Sequence, residues 1–265
     1  MPDQKNLVNV FAHTLGIAVS DQGEGPAFLL LHGGAGPASL FGLAAALSKT
    51  ARVVVPTHPG FNGEPRPDWF TRVEDLTLAY LAVLEKLDLT RVVVVGNSFG
   101  GWVAAELALR HSPRIAGIVL LNPVGIDTGS PDKKIVDPMA LPPADRVALS
   151  FHDPARFANV PAGPQLAAMA ENQRSLRLYS SEQLHDPALR PRLAGILVPT
   201  LVAWGISDKI VDPEYGRLFA ASIPGARFEP IQEAGHFPQI ERLDEVVRLI
   251  VNFQNSASLA KSGRI

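Results

Sequence analysis

Cysteine is absent from this chain of 265 residues, which removes disulfides, thiolate metal ligands and cysteine nucleophiles together. Without thiols the sequence is indifferent to redox compartment. Charge is sparse as well: Asp, Glu, Lys and Arg make up 19% of residues, the formal net charge is -2 and the sequence pI is near 6.4. There is no basic excess to hold nucleic acid or an anionic membrane surface. Long apolar runs are missing too, since stretches such as 92–95 and 118–121 fall far short of the roughly 20 residues that span a bilayer. The polar start from Met1 to Asn6 is not followed by the roughly 7–15-residue apolar segment of a secretory leader. These absences predict a cytoplasmic protein, monomer or homodimer, that acts on a small molecule and has no nucleic-acid or membrane partner. No histidine pair has metal spacing and no cofactor fingerprint is present, so neither a metal nor a cofactor is expected.

What is present is apolar residue, 46% of the chain, enough for a sizeable core. Short β-branched runs alternate with longer amphipathic stretches, the pattern of parallel strands joined by crossover helices. The strand candidates are 28–31, 53–55, 92–95, 118–121, 201–203 and 227–231, most of them apolar throughout, as strands covered on both faces are. Segments 8–11 and 15–19 read as a hairpin at one sheet edge. Val73, Leu76, Tyr80, Leu84 and Leu87 recur at helical intervals, as do Leu243, Val246, Val247 and Ile250, and residues 101–111 form a further helix that Pro113 stops.

One region breaks this rhythm. Between Gly125 and Pro191 the chain is rich in proline and shows no convincing strand, with helical patterning around 165–179. A structureless loop of that length does not suit a compact domain. The expected organisation is therefore an α/β core of residues 1–124 and 192–254, a helical cap insertion at 125–191 over the sheet's carboxyl edge, and a loose tail at 255–265.

Chemistry concentrates where candidate strands end. Gly96-Asn97-Ser98-Phe99-Gly100-Gly101 follows strand 92–95 and opens a helix, the strand–turn–helix setting that projects a strained serine above a sheet edge. A tight turn with an incidental serine would give the same letters; the rest of the chain weighs against it. His32-Gly33-Gly34-Ala35-Gly36 follows strand 28–31, where bare backbone can approach a substrate oxygen. The Phe99 and Gly34 N–H groups are the candidate oxyanion donors. A phosphate loop is the competing reading, but the required glycine and lysine spacing is absent. His32 itself reads as a buried structural residue. Asp208 follows strand 201–203 and His236 follows strand 227–231. A serine hydroxyl needs a histidine to take its proton, and the imidazole needs a carboxylate to fix its tautomer. Ser98, His236 and Asp208 are thus the candidate catalytic set, with Asp212 and Asp127 as alternative acids.

These residues together, with Trp204-Gly205-x-x-Asp208 and Gly235-His236, closely resemble the α/β-hydrolase superfamily from about Gly16 to Phe253, outside the insertion. The resemblance implies an α/β-hydrolase fold, meaning a mostly parallel eight-stranded sheet flanked by helices with a helical cap, and acyl-enzyme chemistry on an ester-type bond. Serine rather than aspartate at position 98 argues against the epoxide hydrolases and haloalkane dehalogenases. The turn Gly-Asn-Ser-Phe-Gly-Gly is also similar to that of C–C hydrolases of aromatic meta-cleavage products; Arg174 or Arg177 would then hold a substrate carboxylate. Those enzymes usually carry tryptophan after the catalytic histidine, where this chain has Phe237. The first expectation is therefore a serine esterase of a small or medium apolar substrate, with C–C hydrolysis second and a non-enzymatic receptor third. Gly33, Asn97, Trp102 and Phe237 are candidate substrate contacts, and the loop from Thr57 to Gly63 a pocket rim.

Overall fold

The computed structural model describes residues 6–130, 135–137, 140–157, 163–181 and 183–262. Ten strands are present among them: β1 (Asn6–Val10), β2 (Leu15–Gln22), β3 (Ala27–Leu31), β4 (Arg52–Pro56), β5 (Val92–Asn97), β6 (Ile115–Leu121), β7 (Gly125–Ile126), β8 (His185–Asp186), β9 (Thr200–Gly205) and β10 (Arg227–Ile231). Eight form one sheet in the order β1-β2-β4-β3-β5-β6-β9-β10. Strand β2 pairs antiparallel with β1 and with β4, and every other neighbouring pair is parallel. The expected hairpin and all six expected strands are there.

The helices are α1 (Phe41–Leu47), α2 (Val73–Lys86), α3 (Phe99–Ala108), α4 (Pro143–Ser150), α5 (Pro154–Phe157), α6 (Pro164–Ser180), α7 (Leu189–Arg192), α8 (Pro213–Ala221), α9 (Pro238–Glu241) and α10 (Leu243–Ser262). Alternation along the central strands feeds two apolar layers. Leu29, Leu31, Val92, Val94, Ile118, Leu120, Val202 and Trp204 face α2, α3 and α8. Phe28, Leu30, Val93, Val95, Val119, Leu121, Leu201 and Ala203 face α1 and α10. Successive strand residues point to opposite faces, so strands buried on both sides must be apolar without a break. Pro230 fits because β10 is an edge strand, where one side needs no ladder donor.

Two expectations change. The insertion is not free of strand: Gly125–Ile126 and His185–Asp186 pair in parallel at its two ends, too short to leave a sequence period. The chain also stays helical where a loose tail was expected, through Ser262, because Phe253 and Ala257 continue the buried stripe of α10. Residues 263–265 lie outside the described residues.

The chain crosses over β3 between β4 and β5, so the strand order reverses there. In such sheets the crevice beyond the carboxyl ends at the reversal is the ligand position. Register builds it: Leu31 pairs with Gly96, Asn97 with Leu121, Leu121 with Ala203, and Ile231 with Gly205. The residues next along each strand therefore meet on one rim.

Candidate active site

At that rim Ser98 adopts φ 55° and ψ -119°, a conformation disfavoured for any residue with a Cβ and costing about 1–3 kcal/mol. Its neighbours enforce it. Ser98 N donates to Leu121 O (2.9 Å), and Gly101 N and Val124 N donate to Ser98 O (2.9 and 3.3 Å). The flanking glycines permit the crossing: a Cβ on Gly96 would lie 2.2 Å from Gly100 O, and one on Gly100 would lie 2.1 Å from Leu31 O. Helix α3 begins directly at Phe99, two residues earlier than periodicity predicts, because the turn itself starts it.

His236 Nδ1 donates to Asp208 Oδ2 at 2.7 Å, with both side chains buried. Asp208 is further supplied by Ile210 N (2.8 Å) and Val211 N (3.1 Å) on one oxygen and by Asn122 Nδ2 (2.7 Å) on the other. Four donors around the carboxylate fix its direction. The alternative acids are elsewhere occupied: Asp212 caps α8 through Tyr215 N (2.8 Å), and Asp127 accepts from Gly129 N (2.8 Å). Among the described residues no hydrogen bond joins Ser98 Oγ to the His236 ring. Catalytic hydrogen bonds of this kind are often loose without substrate.

The glycine loop stands beside the serine: a Cβ on Gly33 would lie 2.9 Å from Ser98 Cβ. Gly33 O accepts from Gly36 N (3.1 Å) and from His32 Nδ1 (2.8 Å). A trans peptide sets its carbonyl and amide in opposite directions, so pinning Gly33 O into the loop turns Gly34 N–H out of it. His32 Nε2 accepts from His58 N (3.0 Å), His58 Nε2 donates to His32 O (2.8 Å), and Tyr80 OH bonds His58 Nδ1. Every ring nitrogen is used in a neutral tautomer. Burial pushes the His32 imidazole down to about 4 and that of His58 well below its ordinary range. His32 is structural, as expected.

The insertion lies against this loop through one face of α6. Asn172 Oδ1 accepts from Asn62 N (2.7 Å), Ser175 Oγ donates to Gly60 O (2.6 Å) and Tyr179 OH donates to Pro59 O (2.9 Å). Leu176, on the same face, covers Gly34. That orientation corrects the arginine expectation. Arg174 and Arg177 fall on the other faces, where they pair with Glu171 (3.9 Å) and Asp137 (2.9 Å) and stay exposed. Arg174 lines an outer cleft of about 530 Å³ whose walls include neither Ser98 nor His236.

Two further substrate candidates are also corrected. Asn97 is fully buried beneath the turn, its Nδ2 donating to Leu121 O and His236 O (both 3.1 Å). Trp102 sits in the core against Phe99 and Gly125. Phe237 does stand beside the His236 ring, stacked on Phe151 of the insertion at 5.3 Å. Sequence reasoning missed Asn122, which orients Asp208 and whose Oδ1 accepts from Gly205 N (3.1 Å). Its signal was weak: an Asn at a strand end with φ 45°. Among the described residues no cluster of three or more histidines and carboxylates has metal-binding geometry, and no helix is long and apolar enough to cross a membrane.

A mostly parallel sheet bearing a strained serine, a histidine–aspartate pair and a glycine loop at one carboxyl edge defines the α/β-hydrolase class. The chain belongs to the alpha/beta hydrolase family, whose model matches residues 28–249. It is 31% identical to a 2-hydroxymuconate semialdehyde hydrolase of Pseudomonas putida over 91% of this chain and 92% of that protein. It is 26% identical to a 2-hydroxy-6-oxo-6-phenylhexa-2,4-dienoate hydrolase of Burkholderia cepacia, over 95% and 93%. Among solved structures, a meta-cleavage product hydrolase of Pseudomonas fluorescens superposes with TM-score 0.75 at 24% identity, over 91% of this chain and 95% of that one. An esterase of Thermogutta terrifontis superposes with TM-score 0.76 at 23% identity, over 96% and 99%. At those identities the two structures speak for the fold.

Proposed function

We propose that this protein is a serine hydrolase that cleaves a C–C bond next to an aldehyde or ketone carbonyl in a meta-cleavage-type dienoate, through an acyl-enzyme. The observation that carries the hydrolytic chemistry is the His236–Asp208 pair, held at 2.7 Å on the rim that carries strained Ser98. Asp208 fixes the proton on Nδ1, which leaves Nε2 free as the base. His236 takes the Ser98 proton as Oγ adds to the carbonyl carbon, and the new oxyanion receives Phe99 N–H and Gly34 N–H. The dienol first becomes its keto tautomer, its hydroxyl proton moving to the carbon beside the carbonyl; collapse then breaks the bond between that carbon and the acyl carbon, and the fragment leaves as a stabilised dienolate and takes the proton from His236. Water, deprotonated by His236, then releases the acyl group as a carboxylic acid. The choice of bond rests on the relatives, several of which are named for such substrates.

Ester hydrolysis is the second reading, and the placement of the arginines favours it. The α6 face over Gly34 presents Asn172, Ser175, Leu176 and Tyr179, while Arg174 and Arg177 are taken up by surface carboxylates. The purified chain should turn over 2-hydroxymuconate semialdehyde faster than p-nitrophenyl acetate, and Ser98→Ala should abolish both activities and labelling by a fluorophosphonate. Faster ester turnover selects the second reading. Persistent labelling in Ser98→Ala removes both.

A further inference from the structure

Glu241, the last residue of α9, is buried yet pairs with no lysine or arginine among the described residues. Its Oε1 accepts from His152 N (2.8 Å) and Asp153 N (3.0 Å), and its Oε2 from Gly235 N (2.6 Å). Burying a carboxylate is costly unless donors replace its water. Here the donors are backbone amides from two separate parts of the chain. His152 and Asp153 link α4 to α5 in the insertion, and Gly235 precedes His236. A second strap runs alongside, since His236 N donates to Ser150 O (2.7 Å), and a third from below, since Asn97 Nδ2 reaches His236 O (3.1 Å). Asn122 Nδ2 also reaches Gly235 O (3.5 Å), so two of the four restraints on the Gly235–His236 backbone pass through the α4–α5 region of the insertion or through the carboxylate that grips it.

We propose that Glu241 is a positioning residue that ties the insertion to the His236 loop and sets the approach of the imidazole to Ser98. The proposal rests on His236 acting as the base. Only an acceptor on both oxygens satisfies the site: the amide of a glutamine would turn a donor toward N–H donors on one side, freeing either the insertion or the loop. The loop carries the base itself, so a shift of the loop acts on the chemical step and leaves the pocket walls in place.

The test is the saturation kinetics of fluorophosphonate labelling in Glu241→Gln, which needs no knowledge of the natural substrate. The maximal labelling rate should fall about 10- to 100-fold, the loss expected from a misplacement near 1 Å, while the half-saturating probe concentration stays within about twofold. An unchanged maximal rate, or a change in half-saturation alone, overturns the proposal. If the wild-type chain is not labelled at all, the serine-hydrolase reading fails instead. Should Glu241→Gln not fold, amide hydrogen exchange in the wild-type protein decides. Gly235, His152 and Asp153 should be protected together, and rapid exchange at any of the three overturns the clamp.

Discussion

The sheet rim and the insertion above it differ in how much of their hold is apolar packing and how much is single polar contacts. Behind the rim, register and two apolar layers place Ser98, Asp208 and His236, and dozens of buried side chains share the task. The insertion joins one of those layers through Ile126, Leu176, Tyr179, Leu184 and Leu189, and is fastened besides by separate polar contacts to backbone: Asn172, Ser175 and Tyr179 to the 59–62 loop, Ser150 O to His236 N, and Leu149 O to Lys209 N. A distributed apolar core tolerates the loss of one contact poorly because its interior is close-packed and cannot yield. A polar docking surface yields contact by contact. The rim is thus locked from both faces of the sheet, while part of the insertion's hold rests on polar contacts that can be removed one at a time.

Alanine at two glycines breaks this comparison if it is wrong. In Gly100→Ala the new Cβ would meet Leu31 O at 2.1 Å, a backbone atom inside the sheet. The expected loss is about 4 kcal/mol or more, seen as failure to fold or a large drop in urea midpoint. In Gly129→Ala the Cβ meets nothing within 4 Å, and only the left-handed φ of 71° resists. That cost is about 1–2 kcal/mol. Equal losses at both sites would sink the distinction.

Acid should also strike the core side. Because burial holds His32 at about 4 in the fold against an ordinary 6.5, the unfolded chain binds the extra proton first. The stability from keeping His32 neutral is complete above pH 6.5 and declines as pH falls toward 4, by about 3 kcal/mol in all. His58, also held neutral, adds in the same direction. Urea midpoints measured from pH 7.5 down to 5 should fall more steeply for the wild type than for His32→Gln. Parallel slopes would show that the pair carries no such load.

The same division explains what could be read without coordinates. Ser98, Asp208 and His236 could be proposed because each stands a few residues past a strand end; the buried strands β5 and β9 announce themselves by composition, and the edge strand β10 does so less. The glycine loop was legible for that reason too. Asn122 and Glu241 were not, since a side chain that orients another through one or two hydrogen bonds leaves no period and no spacing rule. The direction of α6 was hidden because its docked face mixes Asn172 and Ser175 with Leu176 and Tyr179, so hydropathy does not separate it from the face that carries Arg174. Hence the helix itself could be read from the sequence and the faces of its arginines could not.

The smallest effect tests the insertion alone. Tyr179→Phe removes one hydroxyl from the end of α6 and leaves Pro59 O without its donor. An unsatisfied buried carbonyl costs about 1–3 kcal/mol, and the ring's stacking with Phe61 and Phe99 is retained. If docking is local, the loss raises the population of an undocked insertion about 5- to 150-fold, the ratio that 1–3 kcal/mol gives. Proteolysis within 125–191 should accelerate by that factor, while a probe of the sheet such as the buried Trp204 reports an almost unchanged urea midpoint. A fall in the Trp204 midpoint equal to the gain in proteolysis would mean that insertion and sheet unfold as one unit, and that the rim is not rigid independently of what covers it.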